Sequence, residues 1–263
     1  MLGIRVIPCL LLKNRGLVKT VKFKDPIYLG DPINIVKIFN EKEVDEIVLL
    51  DITATTEQRR PNFKVLSEIA SECFMPVGYG GGIRTLDDAA ALFNLGFEKI
   101  VVNSCAVDDP HFVEAASSRF GSQSVVVSID VKKSLFGKYE VFTHSGSRRT
   151  RLEPADFARK VESMGAGELI VNSIDRDGTM SGYDIDLITK VASSVNIPVV
   201  ACGGAGKLSD FEQAVNHGGA SAVAAGSMFV FQGKHKAVLI TYPSPGALKS
   251  LLFEPGLLEP ALI

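Results

Sequence analysis

Short apolar runs of strand length recur along the chain at 6–12, 47–50, 77–79, 100–103, 124–130, 169–173, 198–201 and 222–225. Between them lie segments with apolar residues at helical spacing, at 31–41, 62–72, 86–95, 109–120, 154–164, 184–194 and 209–217. The strand-length runs are apolar almost throughout instead of alternating, the pattern of parallel strands covered on both faces. Eight such strands alternating with helices in about 250 residues predict a TIM (β/α)8 barrel, whose chemistry sits on loops after the C-terminal ends of the strands. Two stretches break the rhythm. Residues 13–30 read as a long polar loop suited to a lid, and residues 253–263 form an apolar, proline-marked tail.

The pattern repeats. The run from Glu46 to Asp51 matches the run from Glu168 to Ser173, and Gly81-Gly82 matches Gly203-Gly204, both at an offset of 122 residues. Self-similarity at so long a period marks repeated structural units. One domain over 1–263 is expected, made of half-barrels at about 1–120 and 121–250 with a tail at 251–263. The copies differ at one telling place: Cys9–Lys13 matches Ser128–Lys132, so Leu11 stands where the second half carries Asp130.

Composition narrows the class. With 46% hydrophobic and 22% charged residues the chain can bury one large core, and a net charge of −2 without a basic run gives no support for nucleic-acid binding. Cys9, Cys73, Cys105 and Cys202 lack the spacing of a zinc site or a disulfide framework, so reduced thiols and a cytoplasmic location are expected, with no metal and no cofactor. No apolar stretch approaches the roughly 20 residues that span a bilayer, and the N-terminus does not read as a secretory signal.

The polar punctuation falls after the strands. Gly80–Gly82 and Gly203-Gly204 follow strands three and seven, while Asn103-Ser104 and Gly226-Ser227 follow strands four and eight. Glycine lets backbone N–H groups approach an anion, so these positions read as two phosphate sites across one barrel mouth; turning the chain is the plainer alternative. Asp130 ends strand five, and Asp175 and Asp177 follow strand six, where carboxylates can act as general acid or base or merely as caps. Lys13 and Lys19 flank the predicted lid, in reach of a phosphate or of solvent. At the other end, Arg5, Glu46, Lys99 and Glu168 stand at strand starts, where they read either as a gate over an axial passage or as a stabilising ion-pair ring. His144 and His217 have no partner at metal spacing.

Along nearly its whole length the chain resembles the HisF family, the cyclase subunit of imidazole glycerol phosphate synthase. The motifs are Leu50-Asp51-Ile52-Thr53-Ala54, Gly80–Ile83, Phe120–Gln123, Gly165–Glu168, Ser173–Thr179, Ser181–Asp184 and Gly203–Lys207. The resemblance implies a barrel that binds a substrate with a phosphate at each end, pairs with a glutamine amidotransferase and receives ammonia along its axis. It implies one phosphate at Gly82, Asn103 and Ser104 and the other at Gly178, Gly204, Gly226 and Ser227, with Gly203, Lys19 and Asp177 beside the substrate. Arg5, Glu46, Lys99 and Glu168 match the ammonia gate, Asp130 matches one of two catalytic aspartates, and Leu11 replaces the other.

The runs 7–14, 17–24, 30–34 and 233–243 resemble more narrowly the WbuZ group of HisF-like proteins, associated with amidation of cell-surface sugars. That resemblance implies a HisH-like glutaminase and a separate sugar amidotransferase as partners. The expected function is an ammonia-handling subunit for acetamidino formation on a surface-polysaccharide sugar. The alternatives are a cyclase of histidine biosynthesis and a noncatalytic scaffold that activates a glutaminase.

Overall fold

A computed structural model describes residues 4–134 and 136–248; the tail expected at 251–263 lies outside them. Eight parallel strands pair in chain order: β1 (Arg5–Lys13), β2 (Ile47–Asp51), β3 (Val77–Gly80), β4 (Lys99–Val102), β5 (Val125–Lys133), β6 (Glu168–Ser173), β7 (Val199–Cys202) and β8 (Ala222–Ala225). The last strand pairs with the first, Val6 opposite Val223, and closes the TIM barrel. Among the described residues, seven helices of eight residues or more pack around it: α1 (Pro32–Glu41), α2 (Phe63–Ala70), α3 (Leu86–Asn94), α4 (His111–Phe120), α5 (Pro154–Ser163), α6 (Ile185–Ala192) and α7 (Leu208–Asn216).

Local chemistry sets the helix starts. Asp31, Asn62 and Asp184 cap α1, α2 and α6 by accepting from the N–H three residues on. Pro32 and Pro154 occupy the first turns of α1 and α5, where their missing N–H groups would be unpaired in any case. Thr85 and Asp88 close a capping box on α3.

The core has two layers. Outward-facing strand residues such as Val6, Leu49, Val127 and Val171 pack against the helices. Inward-facing Ile7, Val48, Val101, Val126, Ile170, Val200, Ala222 and Ala224 fill the barrel itself. Every strand is therefore covered on both sides, the physical reason for its near-continuous apolar sequence.

Residues 13–30 depart from the expected loop. They form an antiparallel hairpin, Gly16–Val21 with Lys24–Gly30, that prolongs β1 through the pairs Leu11 with Val18 and Lys13 with Gly16. Leu17, Val18, Lys19 and Thr20 are buried in it, which a solvated loop would not achieve. The second half builds the same device: Tyr139–Thr143 runs antiparallel to the end of β5, pairing Asp130 with Phe142. The duplication extends beyond the barrel to the two hairpins over its mouth.

Candidate functional site

A cavity of about 140 Å³ opens at the C-terminal ends of the strands. Asp130 and Asn172 line one wall and Leu11 the facing one, since β1 and β5 lie four strands apart around the ring of eight. Asp130 Oδ1 accepts from Ser128 Oγ at 3.2 Å and from Asn172 Nδ2 at 3.3 Å. Burial pushes the Asp130 carboxyl up to about 7, against the pull of those two donors and with a small push from the charge of Asp177. A carboxyl that titrates near neutrality is suited to exchanging protons. Leu11, 8% exposed, offers only an apolar surface opposite it.

Asp51 cannot take the missing role. Its Oδ1 accepts from the N–H groups of Thr53 and Ala54, both at 3.0 Å, and Arg59 binds both carboxylate oxygens at 2.9 and 3.0 Å. Both of its oxygens are thus engaged by the loop that follows β2, with Arg59 balancing its charge. Asp175 also stands apart, exposed, accepting from the Lys133 N–H at 2.8 Å.

The glycine positions fall in matched places on the two sides of the mouth. Gly81 and Gly82 have φ of 114° and 75°, and Gly203 and Gly204 have 85° and 118°, a region other residues seldom enter. A Cβ on Gly82 would overlap the Arg59 carbonyl oxygen, and one on Gly204 the Gly182 carbonyl oxygen. Asn103 and Gly226 precede two short helices, Ser104–Asp108 and Ser227–Val230, with nearly the same ψ of −75°.

The donors on the two sides differ. In the first half Asn103 Nδ2 donates to the Ser128 and Phe142 carbonyls at 3.0 and 3.3 Å, and Ser104 Oγ accepts from the His144 N–H at 3.0 Å. In the second half Ser227 Oγ is buried without a partner among the described residues, and Lys19 packs over Gly226. Lys19 Nζ binds Asp177 Oδ1 at 2.8 Å, Thr20 Oγ1 donates to Asp177 Oδ2 at 3.2 Å, and the Lys22 N–H reaches the Asp177 carbonyl at 2.9 Å. Gly178 follows directly, where a Cβ would overlap the Thr20 carbonyl. The hairpin is thus clasped to the loop after β6.

At the opposite end of the barrel Arg5 binds both Glu46 and Glu168. Lys99 Nζ contacts both oxygens of Glu46 at 2.8 and 2.9 Å and Glu168 at 2.9 Å. The four side chains make a closed alternating ring around the axis, with both glutamates buried beneath the apolar plug.

Among the expected residues, Asp130, Lys19, Gly82, Asn103, Ser104, Asp177, Gly178, Gly203, Gly204, Gly226 and Ser227 all line the mouth cavity, and the four ring residues meet at the other end. Sequence reasoning missed Ser128, Asn172, Cys9 and Cys202, which also line the mouth. Strand parity could have found them: Glu168, Ile170 and Asn172 alternate inward on β6. His144 lies beside Thr143, Nδ1 to Oγ1 at 3.0 Å, and His217 is exposed. Among the described residues no group of three or more His, Cys, Asp or Glu is placed to hold a metal ion. No helix there is long and apolar enough to cross a membrane.

The family model described as histidine biosynthesis protein matches residues 5–236. The chain is 53% identical over 244 residues to a Pseudomonas aeruginosa protein named "Putative imidazole glycerol phosphate synthase subunit hisF2", covering 93% of this chain and 97% of that one. It is 49% identical over 254 residues to the similarly named HisF protein of Leptospira borgpetersenii, covering 96% and 100%. It is 46% identical over 231 residues to the imidazole glycerol phosphate synthase subunit HisF of Hyphomonas neptunium, covering 88% and 91%. With two half-barrels, matched glycine turns and these relatives along almost its full length, the chain belongs to the HisF family of histidine biosynthesis proteins.

Proposed function

We propose that this HisF-family barrel receives ammonia from a HisH-like glutamine amidotransferase docked on the face of the Arg5–Glu46–Lys99–Glu168 ring, and serves amidation of a surface-polysaccharide sugar. The observation that carries this reading is Leu11. A cyclisation that moves protons on both sides of its substrate needs an acid–base group on each wall, and loss of one typically costs about 10²–10⁴ in rate. Here one wall holds Asp130 and the other Leu11, while Asp51 is locked in its own loop by Arg59.

In this reading the matched glycine turns and Lys19 hold a phosphorylated ligand, with Gly82, Asn103 and Ser104 at one end and Gly178, Gly203, Gly204, Gly226 and Ser227 at the other. Asp130 handles the proton at the nitrogen that arrives along the axis, and a sugar amidotransferase takes the nitrogen onward in the cytoplasm. The resemblance of 7–14 and 17–24 to the WbuZ group supports the same assignment.

A second reading, cyclase of histidine biosynthesis, is favoured by the glycine turns present at both ends of the mouth. One experiment separates them. The purified chain, given ammonium ion and the imidazole-pathway precursor, should turn over little; reconstituted with a HisH-like glutaminase and a sugar amidotransferase, it should support acetamidino formation from glutamine. Normal cyclase turnover by the chain alone would reject the proposal.

A further inference from the structure

Each half-barrel buries an aspartate at the third position of the helix that follows its glycine turn, Asp88 in α3 and Asp210 in α7, 122 residues apart. Asp88 Oδ2 accepts from the Arg84 and Thr85 N–H groups, both at 3.1 Å, and Asp210 Oδ2 accepts from the Gly206 and Lys207 N–H groups at 2.8 and 3.1 Å. The copies part at the other oxygen. Arg60 Nε binds Asp88 Oδ1 at 2.7 Å, with the guanidinium over the Phe63 ring. At the same offset the second half carries Gly182 and Ile185, so that position supplies no guanidinium. Asp210 is only 4% exposed, yet its Oδ1 takes no hydrogen bond among the described residues.

The vacated place is open. Asp210 and Gly182 line a groove of about 580 Å³ between the loop after β6 and the start of α7, and a Cβ on Gly182 would stand 3.6 Å from Asp210 Oδ1. The neighbouring cations do not take the place. Arg176 Nη1 donates to the Ser181 and Gly182 carbonyls at 3.3 and 3.2 Å, Lys207 is exposed, and neither forms an ion pair with Asp210 among the described residues. Asp184 Oδ1 already accepts from the Tyr139 hydroxyl and the Leu187 N–H. With Asp184 and Asp186 the groove holds three carboxylates against two cations. An anion would be repelled by Asp210, and a neutral donor would leave its charge unmatched. A cationic N–H donor satisfies both the lone pair and the charge, and the first half displays the group that fits, a planar guanidinium.

We propose that Asp210 and the space beside Gly182 form a subsite for a guanidinium brought by another molecule, in the place that Arg60 fills beside Asp88. Neither Asp210 nor Gly182 lines the mouth cavity, so the inference stands apart from the ammonia-handling reading.

The full chain, isotopically labelled for NMR at its aspartate carboxyls and backbone amides, is titrated at neutral pH and constant ionic strength with N-acetyl-arginine methylamide and with its neutral isostere N-acetyl-citrulline methylamide. The Asp210 signal should report the arginine compound binding at least about tenfold more tightly than the citrulline one, while the Asp88 signal stays unmoved. Asp210→Asn removes the charge and keeps an acceptor for the Gly206 and Lys207 N–H groups; read at the Lys207 amide, it should abolish the preference. Equal binding of the two compounds by the wild type, or a preference that survives in Asp210→Asn, overturns the subsite. Should the asparagine variant not fold, Arg60→Gly decides: it vacates the matching place, so a new response to arginine at Asp88 supports the subsite and a silent Asp88 overturns it. Free arginine as a third ligand tells the source with the subsite upheld. Binding tighter than the blocked form points to a small guanidino compound, and equal or weaker binding to an arginine side chain of a protein.

Discussion

Leu11 and Asp130 occupy equivalent places in the two half-barrels: each lines the mouth and each begins an antiparallel hairpin, Leu11 paired with Val18 and Asp130 with Phe142. The scaffold is symmetric where the chemistry is not. One wall carries a buried carboxyl with two donors, the other a leucine packed in the same backbone setting. The mouth therefore has a polar side and an apolar side, and the glycine turns at both ends leave that asymmetry untouched.

Leu11→Asp is the direct test of the missing carboxylate. The wild type should show cyclase activity with ammonium ion lower by on the order of 10²-fold or more than a barrel with two aspartates, and the variant should recover a trace of it. Full recovery is not expected, because a carboxylate placed at a site only 8% exposed is partly desolvated and titrates high. Steady-state rates with ammonium salts and the imidazole-pathway precursor decide the matter.

Asp130 also leaves a signature in stability. In the unfolded chain an aspartate titrates near about 4, whereas the native carboxyl titrates at about 7 because burial disfavours its charge. Between those values the folded protein holds a proton that the unfolded chain has released, so this group lowers stability as pH rises through the window and the loss levels off above it. Asp130→Asn keeps an acceptor for Ser128 and Asn172 and removes the charge. It should stabilise the fold at about pH 8 by on the order of 2 kcal/mol, read as a higher thermal midpoint, and change it little at about pH 4. Equal effects at both pH values would show that the carboxyl is not held protonated by burial.

The barrel was legible because parallel strands buried on two faces leave unbroken apolar runs, and because caps such as Asp31, Asn62 and Asp184 mark helix starts within a residue of their positions. The glycine turns and the ring were legible through the internal repeat. The hairpin at 16–30 was not, since Lys19 and Thr20 look solvated in sequence and are buried only because Asp177, more than 150 residues away, accepts from both. Asn172 was legible in its inward place through strand parity, but not in its partner. Its meaning depends on its register with Asp130 across a strand pair, which no local pattern encodes.

The Lys19–Asp177 pair should behave as a buried clasp. Removing one partner leaves the other charge uncompensated, so Lys19→Met or Asp177→Asn alone should cost about 3 kcal/mol, and the double variant less than the two losses added together. A double-mutant cycle by denaturant unfolding measures the coupling. The same singles should increase proteolytic cleavage at Lys22 and Lys24 at the hairpin tip, because the Asp177 loop is what holds it down. Strict additivity with unchanged cleavage would show that the hairpin is held by its apolar residues alone.

The ring at the far end poses the final choice between structure and passage. Lys99 contacts both glutamates and is only 18% exposed at its side chain, so Lys99→Met leaves Arg5 to balance two buried carboxylates. Stability should fall by about 2–4 kcal/mol, and pairing Lys99→Met with Glu46→Gln should recover part of it by restoring the charge balance. A purely structural ring predicts that the double variant also regains normal behaviour in complex with a glutaminase. A gate predicts something else: the double variant, though stable, should consume glutamine without delivering its nitrogen to the acceptor in proportion, since the charged ring across the axis has been altered. Comparing glutamate released with amidated product, at matched complex formation, separates the two. A ratio unchanged from wild type in the stable double variant would assign the ring to folding stability alone.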